Sequence, residues 1–300
     1  MRVALTGATG FLGRYIVNRL TERGHFCRCW FRPQADRGGF QNHDAIEWVP
    51  GRLDDPSAAE ALVYGADAVV HAALCRPGAG FRGAEGDPVD FVQTNVVGTI
   101  RLIEAARRAG VGRFVFIATC AVHEIILDDR PLDESHPLWP TSHYGAHKAA
   151  IEKFVHSYGF GHGYPICSLR PTGIYGLARP VSASRWFELV RRVKRGERIA
   201  TARGGKEVHA VDVARAVEVL LHADPNVIAG QAYNGYDMYV SEQQVASIAR
   251  DITGSHSVIE DLAREPRHQI DTRKLRTLGM TFGGVPLLED TVRRLVAAAD

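Results

Sequence analysis

The chain has 300 residues, 45% hydrophobic and 23% charged, which suits a folded protein with a substantial core and excludes a disordered one. Its 36 basic and 34 acidic side chains nearly cancel to a formal charge of +2, so neither nucleic acid nor a membrane is an expected partner. Five scattered cysteines, no apolar run of about 18 residues, and an N-terminus that enters a strand where a signal peptide would lie predict a reduced, cytoplasmic protein.

The first element is a strand over 2–6, which runs into Gly7-Ala8-Thr9-Gly10-Phe11-Leu12-Gly13 and then an amphipathic helix over 11–23. In that context the spaced glycines read as a phosphate-binding turn. The first permits the strand-to-helix reversal, the second lets bare backbone approach a pyrophosphate, and the third lets helix and strand pack closely. Dinucleotide contacts are expected from Gly7, Thr9, Gly10, Phe11, Leu12 and Gly13.

The second strand, 26–31, carries Cys27 and Cys29 in alternation as packing thiols. No His or Cys pair completes a zinc pattern, so no metal is expected. The strand ends at Phe31-Arg32 with no acidic residue before Asp36, where an NAD ribose would want one. Arg32 suits a 2′-phosphate, with Arg37 assisting, or it is a solvated strand-end residue. NADP(H) is therefore favoured, with NAD(H) the alternative.

Further strands at 46–49 and 68–72 flank a helix at 56–63. Arg52 and Leu53 follow the first of them, and His71, Ala72 and Ala73 end the second. Small residues there let a dinucleotide lie against backbone. His71 reads as a packing residue in preference to a catalytic one.

A helix near 91–109 leads to a strand at 113–119 that closes on Thr119. Tyr144 and Lys148, spaced i and i+4 on a helix over 143–158 that Thr141-Ser142 can cap, share one helix face. A phenol titrates near about 10, so it needs a nearby cation to act as a base at neutral pH. Lys148 supplies that charge and can reach ribose hydroxyls, while Thr119 can donate to the substrate oxygen.

A strand at 165–169 ends the alternation, which argues a Rossmann-type α/β fold, a doubly wound parallel sheet. After Tyr175-Gly176 the texture changes, with a basic helical run from Arg185 to Lys194, a turn at Gly204-Gly205 and a helix at 211–222. The expected division is a dinucleotide-binding domain over 1–176, rejoined by 208–228. A smaller, partly interleaved substrate lobe takes 177–207 and 229–300.

These residues together resemble the extended short-chain dehydrogenase/reductase superfamily, the group of epimerase/dehydratase-like enzymes. The likeness covers nearly the whole chain. It rests on Thr6 to Gly13, on Asn95-Val96-Val97-Gly98-Thr99, and on Thr119 and Tyr144, 25 residues apart, with Lys148. It continues through Leu169-Arg170-Pro171-Thr172-Gly173-Ile174-Tyr175-Gly176, His209-Ala210-Val211-Asp212-Val213-Ala214 and Asp271-Thr272-Arg273-Lys274-Leu275. The resemblance implies Tyr144 as general acid/base, Thr119 orienting the substrate oxygen and Lys148 lowering the tyrosine pKa. It also implies Pro171, Thr172 and Gly173 beside the nicotinamide, and a homodimer through helices 91–109 and 143–158. Leu102, Ile103, Ile151 and Phe154 are compatible with that face, or they face the sheet.

Four departures bear on the substrate. Arg52 stands where the family commonly has Asp, and Cys120-Ala121 where 4,6-dehydratases carry Asp-Glu, which argues against dehydration. His123 replaces a common Tyr, either facing the substrate or filling the same volume. Gly204-Gly205-Lys206 replaces an arginine that clamps a diphosphate, with Lys206, Arg179, Arg185 and Arg203 as other cations. Specificity is expected in loops 74–90, 123–140 and 177–207, with Leu74, Thr119, His123, Tyr144, Thr172, Arg179, Trp186 and His209 as substrate contacts. The reading is an NADP(H)-favouring oxidoreductase acting at a secondary alcohol or ketone of a small, hydroxylated, sugar-like molecule. A nucleotide-sugar epimerase is the alternative. A non-enzymatic cofactor sensor is third, and the presence of Thr119, Tyr144 and Lys148 together argues against it.

Overall fold

Val3, Ala4 and Leu5 are fully buried. An unbroken apolar run of this kind needs cover on both faces of its sheet, which helical crossovers between parallel strands supply. The computed structural model, which describes residues 1–76, 85–262, 264 and 266–299, has that arrangement. Its strands are β1 (Arg2–Thr6), β2 (Phe26–Phe31), β3 (Ile46–Pro50), β4 (Ala68–His71), β5 (Phe114–Ile117), β6 (Ile166–Pro171), β7 (Gly173–Tyr175), β8 (Gly204–His209), β9 (Gln231–Gly235) and β10 (Met238–Ser241). The helices begin with α1 (Phe11–Glu22), α2 (Pro56–Val63), α3 (Pro88–Val92), α4 (Gly98–Arg108) and α5 (His143–His156). They continue with α6 (Phe187–Lys194), α7 (Ala210–His222), α8 (Pro225–Ile228), α9 (Glu242–Thr253), α10 (Arg273–Arg276) and α11 (Gly284–Ala298).

The chain forms two compact units. The first holds Met1–Pro171, Val213–Gly235 and Ile270–Met280; the second holds Thr172–Asp212, Tyr236–Gln269 and Thr281–Asp300. In the first, a seven-stranded sheet runs β3-β2-β1-β4-β5-β6-β9 with every neighbouring pair parallel. Strand order reverses direction between β1 and β4, and in such sheets ligands bind beyond the strand C-termini at that point. The second unit has a three-stranded sheet, β10-β8-β7. Its core gathers Tyr175, Val190, Val193, Val245, Leu288 and Val292.

The expected division differs from the observed one in four places. Residues 172–176 and 208–212 fall in the second unit, and 229–235 and 270–280 fall in the first. Gln-Ala-Tyr-Asn-Gly at 231–235 has little strand character, yet it is β9, paired with β6 from Cys167↔Gln231 to Pro171↔Gly235. Lys274, just after the start of α10, donates to Gln231 Oε1 at 2.6 Å and stands 4.9 Å from the Tyr233 ring centroid.

The helix expected over 91–109 is interrupted by a π turn at Gln93–Val97. At its end Gly98 has no room for a side chain, since a Cβ would lie 2.4 Å from Leu53 O. Leu102, Ile103 and Ile151 are 0%, 0% and 1% exposed, so they pack inward and do not form a face for a second copy. Of the four residues named for that face, only Phe154 is exposed, at 39%. No helix among the described residues is long and apolar enough to cross a membrane.

Candidate active site

Gly7, Gly10 and Gly13 each meet a different constraint. Gly7 has φ +76°, and a Cβ on it would sit 2.8 Å from the backbone of Ala72 and Ala73. Gly13 is tighter still, with its Cβ position 2.0 Å from Gly7 O. Gly10 is exposed and would meet only Gly7 O, at 3.2 Å. The first turn of α1 has no side-chain cap and no acidic residue. The amides of Phe11, Leu12 and Gly13 are thus left facing an open backbone at the positive end of a helix, a cradle that fits a pyrophosphate.

Beyond β2, Arg32 is exposed, and the Arg37 guanidinium lies 4.8 Å from the Phe31 ring centroid. Asp36 is engaged elsewhere: its carboxylate accepts from Gly38 N at 2.8 Å and from Arg14 Nη2 at 3.2 Å. Arg14 also donates to Gly38 O at 3.0 Å, to Asp36 O at 2.7 Å and to Thr9 O. Asn18, one turn along α1, donates to Gly39 O and accepts from Gln41 N, both at 3.1 Å. These two side chains fasten the β2–β3 connection to α1 and the glycine turn. Sequence reasoning gave them no role, because an Arg and an Asn on an amphipathic helix look like solvated residues.

The wall formed by β4 is internally bonded. His71 is 1% exposed; its Nδ1 lies 2.6 Å from Thr6 Oγ1 and its Nε2 lies 2.8 Å from Thr99 Oγ1. Thr99 in turn donates to Asn95 O at 2.5 Å, so the neutral Nε2–H tautomer satisfies every partner. Burial holds His71 down at about 3. The His71 ring is therefore a packing group and is withdrawn as a cofactor contact, while the Ala72-Ala73 backbone remains against Gly7. Asn95 accepts from Cys75 N and donates to Cys75 O, each at 2.8 Å, pinning the chain just past half-buried Leu74. Residues 77–84 of the 74–90 loop lie outside the described residues. Arg52 is exposed and makes a two-point pair with Asp54 at 3.0 and 2.9 Å, while Leu53 is buried.

Thr119 lies two residues past β5 and caps a short turn at Cys120–Val122, its Oγ1 accepting from Ala121 N at 3.1 Å. Tyr144 is in the first turn of α5, whose N-cap Ser142 accepts from Gly145 N at 3.1 Å. The corner before the helix is held by Glu124, which accepts from Thr141 and Ser142 through backbone and hydroxyl donors. Gly145 allows the approach that matters here. A Cβ on it would stand 2.7 Å from Ala121 O, so the first turn of α5 rests directly on the turn that Thr119 begins. One helical turn on, buried Lys148 donates from Nζ to Ile117 O at 2.7 Å and stands 4.5 Å from the Phe116 ring centroid. Burial lowers the Lys148 ammonium to about 7, opposed by Glu152.

Glu152 and Arg170, 0% and 1% exposed, form a buried pair with contacts of 2.5 to 3.0 Å that joins α5 to β6. Arg170 Nη1 also reaches His123 Nε2 at 3.2 Å, and His123 Nδ1 donates to Pro137 O at 3.2 Å. Burial and the guanidinium lower His123 to about 4. His123 thus fills internal volume as a neutral acceptor, its two ring nitrogens engaged by Arg170 and Pro137. The Cys120 thiol, 3.0 Å from Arg170 O, donates into the same network.

In the second unit, His209 is 5% exposed; its Nδ1 accepts from Val211 N at 3.0 Å, and its ring meets Tyr175 edge-on at 4.9 Å. It serves the start of α7. Thr172 is half-buried and Arg179 exposed. Gly173 faces the Glu207 carboxylate, with its Cβ position 2.4 Å from Oε2. Trp186 lines a cavity of about 580 Å³ together with Tyr239 and the guanidinium-bearing residues Arg185, Arg203, Arg264 and Arg267. One carboxylate, Glu242, also lines it and accepts from Thr201 Oγ1 at 2.7 Å. Positive charge around flat aromatic rings suits an anion that carries a planar group.

Residues 3–234 match the model of the NAD dependent epimerase/dehydratase family. The chain belongs to that family. It is an enzyme of the short-chain dehydrogenase/reductase superfamily, in which the cofactor is nicotinamide-based. Over 296 residues it is 28% identical to the low-salt glycan biosynthesis protein Agl12 of Haloferax volcanii, a match covering 93% of each chain. Over 239 residues it is 30% identical to a farnesyl-dihydroquinoline-oxide ketoreductase of Stigmatella aurantiaca, covering 78% of this chain and 67% of the relative. Among solved structures, a dTDP-glucose 4,6-dehydratase variant from Streptomyces venezuelae with NAD bound is similar at TM-score 0.76 and 25% identity. That match covers 98% of this chain and 96% of the other.

Proposed function

We propose that the protein is an NAD(P)-dependent oxidoreductase acting at a secondary alcohol or ketone carbon of a hydroxylated, sugar-like substrate. The observation that carries this is the seating of the first turn of α5 on the Thr119 turn, with Lys148 anchored to Ile117 one helical turn away. When bound, the nicotinamide supplies hydride acceptance or donation. Tyr144 gives or takes the hydroxyl proton, and Thr119 donates to the same oxygen. Charged Lys148 favours the phenolate and donates to ribose hydroxyls. Cys120 and Ala121 supply no carboxyl pair for elimination, which argues against a dehydratase.

NADP(H) is favoured over NAD(H). Asp36, the first acid after β2, is held by Arg14 and Gly38 N, while Arg32 and Arg37 stand free of carboxylates at the strand end in the described contacts. A 2′-phosphate suits that charge better than a 2′-hydroxyl does. We expect a homodimer, with Phe154 contributing exposed apolar surface.

A second reading, a nucleotide-sugar epimerase, is favoured by the arginine-lined cavity of the second unit. Calorimetric titration of cofactor-stripped protein with NADPH, NADH, UDP-glucose and GDP-mannose separates the two. NADPH binding alone supports a reductase of free sugars, and added nucleotide-sugar binding supports the epimerase. Binding of neither cofactor contradicts both. Arg32→Ala is expected to weaken NADPH roughly 10-fold more than NADH; equal losses would remove the 2′-phosphate contact.

A further inference from the structure

Glu207 is 1% exposed, although it lies on β8 beside a cavity crowded with arginines. A carboxylate is buried only where it is paired and given room. Both conditions are met by construction. Arg185 clasps it at two points, Nη1 to Oε2 and Nη2 to Oε1, each at 2.7 Å. Room comes from two glycines, Gly173 opposite it on β7 and Gly205 two residues earlier on β8, since a Cβ at Gly173 would lie 2.4 Å from Oε2 and one at Gly205 would lie 2.4 Å from Oε1.

The pair is lopsided. Arg185 keeps 42% of its side chain exposed and lines the cavity, whereas Glu207 is sealed beneath it. The guanidinium is also fixed from the side, 5.2 Å from the ring centroid of Trp186, a buried residue held at φ +67°. A bulky side chain in that left-handed conformation is uncommon and is kept only where its surroundings demand it. Two in-plane bonds and an aromatic face leave the Arg185 fork few orientations. The geometry also accounts for the missing strand arginine. A side chain at position 205 would displace the Glu207 carboxylate that Arg185 holds, so the glycine at this place on β8 goes with a clamp supplied from elsewhere.

We propose that Arg185 is the anion-binding residue of this cavity and that Glu207, seated between Gly173 and Gly205, is the positioning residue that aims it. The ligand chemistry is a phosphate or diphosphate group attached to a planar ring, and the proposal rests on the nucleotide-linked reading of the substrate given above. Arg185 moves the clamp from the strand to the segment entering α6.

The test is calorimetric titration of UDP into the full-length protein and into Arg185→Lys, Glu207→Gln and the double variant, with melting temperatures and NADPH affinity recorded alongside. Arg185→Lys and Glu207→Gln should each weaken UDP by roughly 10-fold, and the double variant should be no weaker than Arg185→Lys alone. Glu207→Gln leaves Arg185 as a solvent-accessible cation that water can hydrate, Arg185→Lys keeps a cation beside the buried carboxylate, and the melting temperatures check that both variants fold. A purely structural Glu207 would instead add its full effect to that of Arg185→Lys and lower NADPH affinity as well; that additivity would overturn the proposal. Unchanged UDP affinity in Arg185→Lys would also overturn it while leaving the nucleotide-linked substrate standing. Failure of the unaltered protein to bind UDP would overturn both.

Discussion

The Lys148 ammonium donates to the carbonyl of Ile117, the last residue of β5, at 2.7 Å. One contact thereby fixes a buried cation and ties the helix bearing Tyr144 to the strand that leads to Thr119. Its energetic signature is measurable without knowledge of the substrate.

Folding lowers Lys148 from 10.5 to about 7, chiefly by burial. Between those values the unfolded chain binds the proton that the folded chain has shed, so stability from this position rises with pH across that window. It is fully present above the unfolded pKa and lost as pH falls through the folded one. Lys148→Met keeps the volume and removes the titration. Urea unfolding should show the variant more stable relative to the natural protein at pH 6 than at pH 9.5, by about 1–3 kcal/mol. A difference independent of pH would contradict the burial of a titrating amine.

The glycine turn separates two kinds of constraint. Gly13→Ala places a methyl 2.0 Å from Gly7 O and should destabilise the fold by about 2–4 kcal/mol in denaturant titration. Gly10→Ala meets only one atom, at 3.2 Å, and should lose no more than about 1 kcal/mol. The same Gly10→Ala protein should bind NADPH at least about 10-fold more weakly, because the methyl stands where the pyrophosphate approaches bare backbone. Normal NADPH binding by Gly10→Ala would remove the turn from the cofactor site.

The sheet was legible because its signals are local. Strands at 2–6 and 26–31 and a helix at 56–63 coincide with β1, β2 and α2, each marked by an apolar run bounded by Gly, Pro or Asp. The glycine turn and the i, i+4 pair of Tyr144 and Lys148 are equally local. What sequence could not show are roles set by partners far along the chain. His123 looked like a substrate contact, but its role depends on Arg170, 47 residues away. His209 looked like part of a binding element and instead accepts a backbone bond at the start of α7. β9 was hidden because Gln, Asn and Gly become strand residues only through pairing with β6. Leu102, Ile103 and Ile151 fit two burial patterns equally well, and the packing of α4 and α5 selected the inward one.

The proposed reaction is hydride transfer with Tyr144 as the proton-exchanging group. The direct measurement is single-turnover reduction of NADP⁺ by the natural protein and by Tyr144→Phe. The reaction is followed by reduced-nicotinamide absorbance against a panel of UDP-glucose, GDP-mannose and free aldoses. With Tyr144 in that role, a substrate oxidised by the natural protein is oxidised at least about 100-fold more slowly by Tyr144→Phe, with NADPH affinity changed by no more than a few-fold. Turnover by Tyr144→Phe at the unaltered rate would contradict it.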